Sequence, residues 1–84
     1  MAMTRISKSD WNKVKAYEEF TGAIVKAEGG VWIIDAPEEM EAYSTTADLM
    51  DFINYELAEA RGQYIMDGAF EEYRAICRAN GLEV

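Results

Sequence analysis

Apolar positions change their period twice along the chain, and each change marks an element. Between residues 11 and 20 they recur at Trp11, Val14, Tyr17 and Phe20, the spacing of one helix face. Ser7 or Ser9 stands ahead as an N-cap and Gly22 behind as an exit, so a helix runs to about residue 20, although Val14-Lys15-Ala16 also reads as strand. The period then shortens to two. Residues 23–28 and 31–36 flank Gly29-Gly30, a two-residue loop suited to a turn in which both central residues have positive φ. That turn sets the register: Glu28 opposite Val31, Ala27 opposite Trp32, Lys26 opposite Ile33, Val25 opposite Ile34. Ala23, Val25, Ala27, Trp32, Ile34 and Ala36 then share one wholly apolar face, the core side. The other side mixes Ile24, Val31 and Ile33 with Lys26, Glu28 and Asp35.

Pro37 closes the second strand, residues 38–41 read as a turn or short helix, and residues 40–44 offer a third antiparallel strand. Thr45 is a suitable N-cap, with Asp48 at the third helical position as in a capping box. Leu49, Ile53, Leu57 and Ala60 follow at helical spacing, flanked by Met50 and Phe52. Gly62 is expected to weaken or end this helix, leaving residues 63–67 as helix or extended link. A last helix begins near Gly68 or Ala69 and carries Phe70, Tyr73, Ile76 and Cys77 on one side. Asn80-Gly81-Leu82 ends it as a left-handed cap, Leu82 folding back towards Ile76 and Cys77. The expected fold is α+β. It has an N-terminal helix, a β-hairpin with a candidate third antiparallel strand, then two C-terminal helices packed on one sheet face. Residues 1–84 form a single small acidic domain; residues 1–3 do not enter the fold reading.

Charge changes this picture more than composition does. The 84 residues carry a net charge of −8, unevenly spread. Residues 1–17 hold Arg5, Lys8, Lys13 and Lys15 against Asp10, a net of +3. Residues 18–60 set eleven acids against Lys26, a net of −10, and residues 61–84 have a net of −1. On the second helix, at 100° per residue with Asp48 as zero, Asp51 falls at about −60°, Tyr55 at about −20°, Glu59 at about +20° and Glu56 at about +80°. The apolar stripe spans about 100–180° on the same wheel. One face is therefore core, and the other is a carboxylate row with a tyrosine in it. Such a row serves either as a solvated face or as a surface for a basic partner, with Glu38, Glu39 and Glu41 as its extension.

Absences narrow the chemistry. With no histidine and one cysteine, Cys77, the chain has no intramolecular disulfide, no thiol redox pair and no thiolate zinc site. Cys77 reads as a small buried hydrophobe. Asp35, Glu38, Glu39 and Glu41 lack the spacing of a calcium loop, and two carboxylates on so short a chain do not make a glycosidase cleft. Gly29-Gly30 opens no helix and is no phosphate cradle. No enzymatic activity, cofactor or metal is expected. No apolar run reaches the ~20 residues of a membrane span, no signal-peptide pattern is present, and the expected location is the cytoplasm. The excess of acids opposes direct binding of nucleic acid. Trp32 is expected in the core. Trp11, Tyr17, Tyr43, Tyr64 and Tyr73 exceed what one small core encloses, and Tyr55 is the candidate exposed anchor.

Glu38, Glu39, Glu41, Asp48, Asp51, Glu56 and Glu59, on a tiny cysteine-poor α+β chain, resemble the acidic surfaces of phage-encoded inhibitors. In that class, anti-CRISPR proteins and other DNA mimics, rows of Asp and Glu stand in for phosphates. It has no common fold or motif, and the basic first seventeen residues depart from its pattern. The resemblance implies a non-enzymatic inhibitor that binds a basic nucleic-acid-binding protein or RNA-guided effector complex and blocks its DNA site. Glu38, Glu39, Glu41, Asp48, Asp51, Tyr55, Glu56 and Glu59 would form the contact surface. The alternative is a small structural or regulatory module that self-associates, as a homodimer, or docks through the apolar hairpin face of Ile24, Val31 and Ile33.

Overall fold

The computed structural model describes residues 4–84. Helix α1 spans Lys8–Thr21 and takes Ser7 as its cap, the Ser7 hydroxyl accepting the Asp10 N–H at 3.1 Å, an interaction that stabilises a helix start by about 1 kcal/mol. Gly22 ends it, its N–H donating to the Glu18 carbonyl at 2.7 Å. The strand reading of residues 14–16 does not hold, because Val14, Ala16 and Tyr17 are buried within the helix.

Strands β1 (Ile24–Glu28) and β2 (Val31–Asp35) pair in the expected register. Gly29 at φ 63° and Gly30 at φ 80° occupy the left-handed region that a tight primed turn demands of both residues. Strand β3 (Met40–Tyr43) adds antiparallel to β2, giving the order β1-β2-β3. It sets Tyr43 opposite Trp32 and Glu41 opposite Ile34. Residues directly opposite share a side of the sheet, so Val25, Trp32, Ile34, Glu41 and Tyr43 lie together. Ala27 shares that side but is exposed, because it borders an open groove beside the start of α1 and no side chain closes over it.

Helix α2 runs unbroken over Thr46–Met66, capped by the Thr45 hydroxyl, which accepts the Asp48 N–H at 3.1 Å. Its 21 residues extend about 31 Å. Gly62 does not end it, and residues 63–66 remain helical. A mid-helix glycine costs only about 1 kcal/mol, and the turn beyond Gly62 is held by Tyr64, which packs on Phe20 at 5.5 Å and Tyr73 at 6.1 Å. The helix stops at Gly68. There the Gly68 N–H reaches the Ile65 carbonyl at 3.1 Å and the Ala69 N–H the Tyr64 carbonyl at 2.8 Å, the paired bonds of a Schellman ending. Helix α3 (Phe70–Ala79) ends the same way, with Gly81 bonded to Arg78 and Leu82 to Cys77, each at 3.0 Å.

Helices α1 and α2 cover the inner sheet face. Val14, Ala16 and Tyr17 from α1 meet Val25, Trp32 and Ile34 from the sheet and Leu49, Met50, Ile53 and Leu57 from α2. Trp32 is buried there, and its indole N–H donates to the Thr46 hydroxyl at 2.9 Å. Helix α3 packs on α1 and α2 through a second aromatic group. Phe20 stacks on Tyr73 at 5.2 Å, Phe70 on Tyr73 at 6.0 Å, and Arg61 sits over the Phe70 ring at 5.3 Å. The surplus of aromatics expected from the sequence is thus shared among three ring groups: Trp11 with Trp32, Tyr17 and Tyr43 on Phe52, and Tyr64 and Tyr73 with Phe20 and Phe70.

Two glycines should respond oppositely to a methyl group. Nothing lies within 4 Å of a Cβ at helical Gly62, whereas at Gly81, φ 83°, it would meet Asn12 Nδ2 at 2.7 Å. Gly62→Ala should raise unfolding free energy by about 0.5–1 kcal/mol, and Gly81→Ala should lower it by about 1–2 kcal/mol, as read from urea denaturation midpoints.

Candidate functional site

The β2–β3 pairing determines where the acidic residues meet. Placing Glu41 opposite Ile34 turns it to the helix-covered side of the sheet, where it is half-buried. Beside it, Tyr43 and Tyr17 both rest against Phe52 of α2, with ring centres 5.5 and 5.8 Å apart. Glu56 follows Phe52 by four residues and so continues the same helix face one turn on. It is half-buried, not fully solvated as its place in the carboxylate row implied.

These groups form one electrostatic unit. The Glu56 carboxyl is held above its ordinary value, first by loss of hydration and then by the charges of Glu59, Glu41 and Glu39. Burial raises the Tyr17 hydroxyl most, against a lowering hydrogen bond with Thr21, and Glu56, Glu41 and Glu39 raise it further. Tyr43 is raised by burial first and then by Glu41, Tyr17, Glu56 and Glu39. Among the described residues the ion pairs are Lys26–Glu28 at 3.4 Å and Arg74–Glu71 at 3.0 Å. Neither belongs to this group, so Glu39, Glu41, Glu56 and Glu59 gather without a cation. They do not converge as a ligand set: among the described residues no three acidic or thiol side chains could hold a metal ion.

The sequence-predicted surface therefore divides. Glu39, Glu41, Glu56 and Glu59 interact across the β3–α2 junction, while Glu38, Asp48 and Asp51 are exposed outside that group. Tyr55 is 61% exposed on α2. Its hydroxyl is raised by a hydrogen bond with Glu59 and by the Glu59 charge, which ties it to the edge of the cluster. Tyr17, Tyr43 and Phe52 form an aromatic floor that the sequence reading did not connect with the acids. The signal for it was the strand pairing of residues 40–43, which no local turn motif declares.

Other singled-out residues take simpler places. Cys77 is buried, and burial pushes its thiol up; the Tyr73 hydroxyl beside it is pushed to about 12 by burial first and by its hydrogen bond with Cys77. On the outer sheet face Ile24 is 60% and Met40 66% exposed, while Val31 and Ile33 are half-buried. Among the described residues no helix is long and apolar enough to cross a membrane. No family model matches the chain, and no curated protein or solved structure matches it either.

The crowding of Glu56 has a thermodynamic consequence with a definite sign. A carboxyl whose pKa is raised by folding binds its proton more tightly in the native state, so its charged form opposes folding at every pH above the unfolded value, near 4.5. That penalty disappears as pH falls and the group protonates. Glu56→Gln should raise the melting temperature at pH 7 and low salt by about 1–3 °C, a few tenths of a kcal/mol of relieved repulsion. Melting curves at pH 7 and pH 3.5 should show the gain at the first and its loss at the second.

Proposed function

We propose that the chain is a non-enzymatic, cytoplasmic inhibitor. Its acidic α2–β3 surface occupies the DNA site of a basic nucleic-acid-binding protein or RNA-guided effector complex, in the manner of the phage-encoded anti-CRISPR proteins it resembles. The supporting observation is the gathering of Glu39, Glu41, Glu56 and Glu59 without a cation, which with lost hydration holds the Glu56 carboxyl above its ordinary value. A partner's lysines or guanidinium groups would supply the missing charge and relieve that repulsion on binding. Half-buried Glu41 stands on β3 and half-buried Glu56 on α2, so their backbones are already ordered when they pair. Exposed Asp48 and Asp51 would extend the negative field along α2 and steer encounter, and Tyr55 would seat as the aromatic anchor. The same field repels DNA, so the two compete for one groove without touching.

The test uses the exposed members, whose reversal leaves the core intact. The Asp48→Lys, Asp51→Lys, Glu59→Lys triple variant should bind the captured partner at least about 10-fold more weakly at 50 mM salt, chiefly through a slower association rate. Double-stranded DNA should displace the wild-type chain. Unchanged affinity, with no dependence on salt, rejects the reading.

A second reading, self-association through the outer sheet face, is favoured by the exposure of Ile24 and Met40 there. The strand spacing and rise give that face a projected area of only about 250 Å², far below the ~800 Å² per partner of a stable interface. Any such dimer is weak. Sedimentation equilibrium should detect it only near millimolar concentration, with Ile24→Lys abolishing it; a monomer throughout removes this reading.

A further inference from the structure

The two edges of the sheet, β1 and β3, are finished differently. A two-residue hairpin makes Glu28 and Val31 a hydrogen-bonded pair, and bonded pairs then alternate along each ladder. Trp32 and Ile34 therefore turn their N–H and C=O groups to β3, where Tyr43 and Glu41 meet them. The backbone groups of Val25 and Ala27 on β1, and of Met40 and Ala42 on β3, point away from the sheet. On β1 the Glu18 carboxylate of α1 takes the outward Val25 N–H at 2.8 Å. It stands where the carbonyl of a further strand would be, which blocks strand addition there. On β3 the outward groups of Met40 and Ala42 have no partner among the described residues, and both residues are exposed.

From this asymmetry we propose, resting on the function proposed above, that the β3 edge takes an extended segment of the partner protein as a fourth strand, one in which basic and apolar residues alternate. Side chains of an added strand lie beside those of β3 on both sides of the sheet. On the inner side the neighbours are Glu41 and Tyr43, with Glu56 of α2 within electrostatic reach of both, so Lys or Arg is favoured there. On the outer side they are exposed Met40 and Ala42, which favour apolar residues. The pleat gives the occupant its period of two. A second copy of the chain fits poorly, because pairing β3 with itself brings two sets of Glu39, Glu41 and Glu56 together without a cation. Nucleic acid is repelled by the same carboxylates.

A heptapeptide of alternating lysine and valine, acetylated and amidated, is the probe, titrated at low salt into nitrogen-15-labelled protein. It should bind saturably, shift the amide resonances of Met40 and Ala42 and slow their exchange with solvent. Methylating one alternate set of its backbone nitrogens should weaken binding by at least about 10-fold, and methylating the other set should not, because only one set faces β3. Ala42→Pro removes an outward N–H at an edge position, where a sheet tolerates proline, and should also weaken the peptide by at least about 10-fold. Circular dichroism checks the fold of that variant, and the methylated peptides test the unaltered chain. No saturable binding, or equal behaviour of the two methylated peptides, overturns the assignment. So does a dimer that Ala42→Pro disperses, which gives the edge to a second copy. The acidic-surface reading fails separately, if reversing Asp48, Asp51 and Glu59 leaves the partner's affinity unchanged. A partner weakened by that reversal, beside peptide binding blind to methylation, keeps that reading and removes the strand addition alone.

Discussion

The position of Trp32 at the centre of β2 is the constraint on which the remaining packing depends. Among the described strands its own is the one paired on both sides, with Ala27 across one ladder and Tyr43 across the other. Its ring meets Trp11 of α1, and its indole N–H reaches Thr46 at the start of α2. One residue thus ties each strand to both covering helices. Removing the indole would leave a large cavity beneath α1 and α2, a loss of several kcal/mol in a domain whose whole margin is of that order. Two features of the surface hang from the same residue. Through Tyr43 it fixes the strand that turns Glu41 inward, and through Trp11 it forms the floor of the groove at the other end of the ladder.

Electrostatics is arranged against stability. Eleven acids lie in residues 18–60, and one of those acids, Glu56, is partly desolvated among three like charges. Glu71, by contrast, is paired with Arg74 at 3.0 Å. The basic first seventeen residues show that cations are available in the sequence but are placed elsewhere. The fold therefore separates charge into an acidic α2–β3 side, set beside the rings of Tyr17, Tyr43 and Phe52, and an α1 that carries Lys8, Lys13 and Lys15.

Features governed by local rules were legible in the sequence. Gly29-Gly30 determines the hairpin register, Ser7 and Thr45 start their helices through their own hydroxyls, and Gly81 closes α3 by the bonds its position implies. Features governed by distant partners were not. Gly62 looked like a helix end because its cost is local, while the Tyr64 contacts that outweigh it come from Phe20 and Tyr73. Ala27 fits the apolar alternation but lies at the groove, where nothing covers it. The acidic set was visible as a row on a helical wheel. The wheel could not show that Glu41 joins it from the inner sheet face, that Glu56 sinks beside Phe52, or that Asp48 and Asp51 stand outside the cluster. Those facts depend on how β3 pairs, and only the folded sheet determines that.

The division of the aromatics into three contact groups also determines how the molecule reports its own unfolding. Both indoles sit where the sheet meets α1, whereas Tyr64 and Tyr73 sit with Phe20 and Phe70 where α3 meets the other helices. Tryptophan emission therefore views the α1–sheet end alone, whereas tyrosine absorbance sums Tyr17 and Tyr43 beside Phe52 with Tyr64 and Tyr73 at α3. If the two signals melt together, α3 is part of the same all-or-none transition. If part of the tyrosine change precedes the tryptophan change, and replacing Tyr64 and Tyr73 by Phe removes that early part, α3 is a separable outer layer resting on a smaller helix–sheet nucleus.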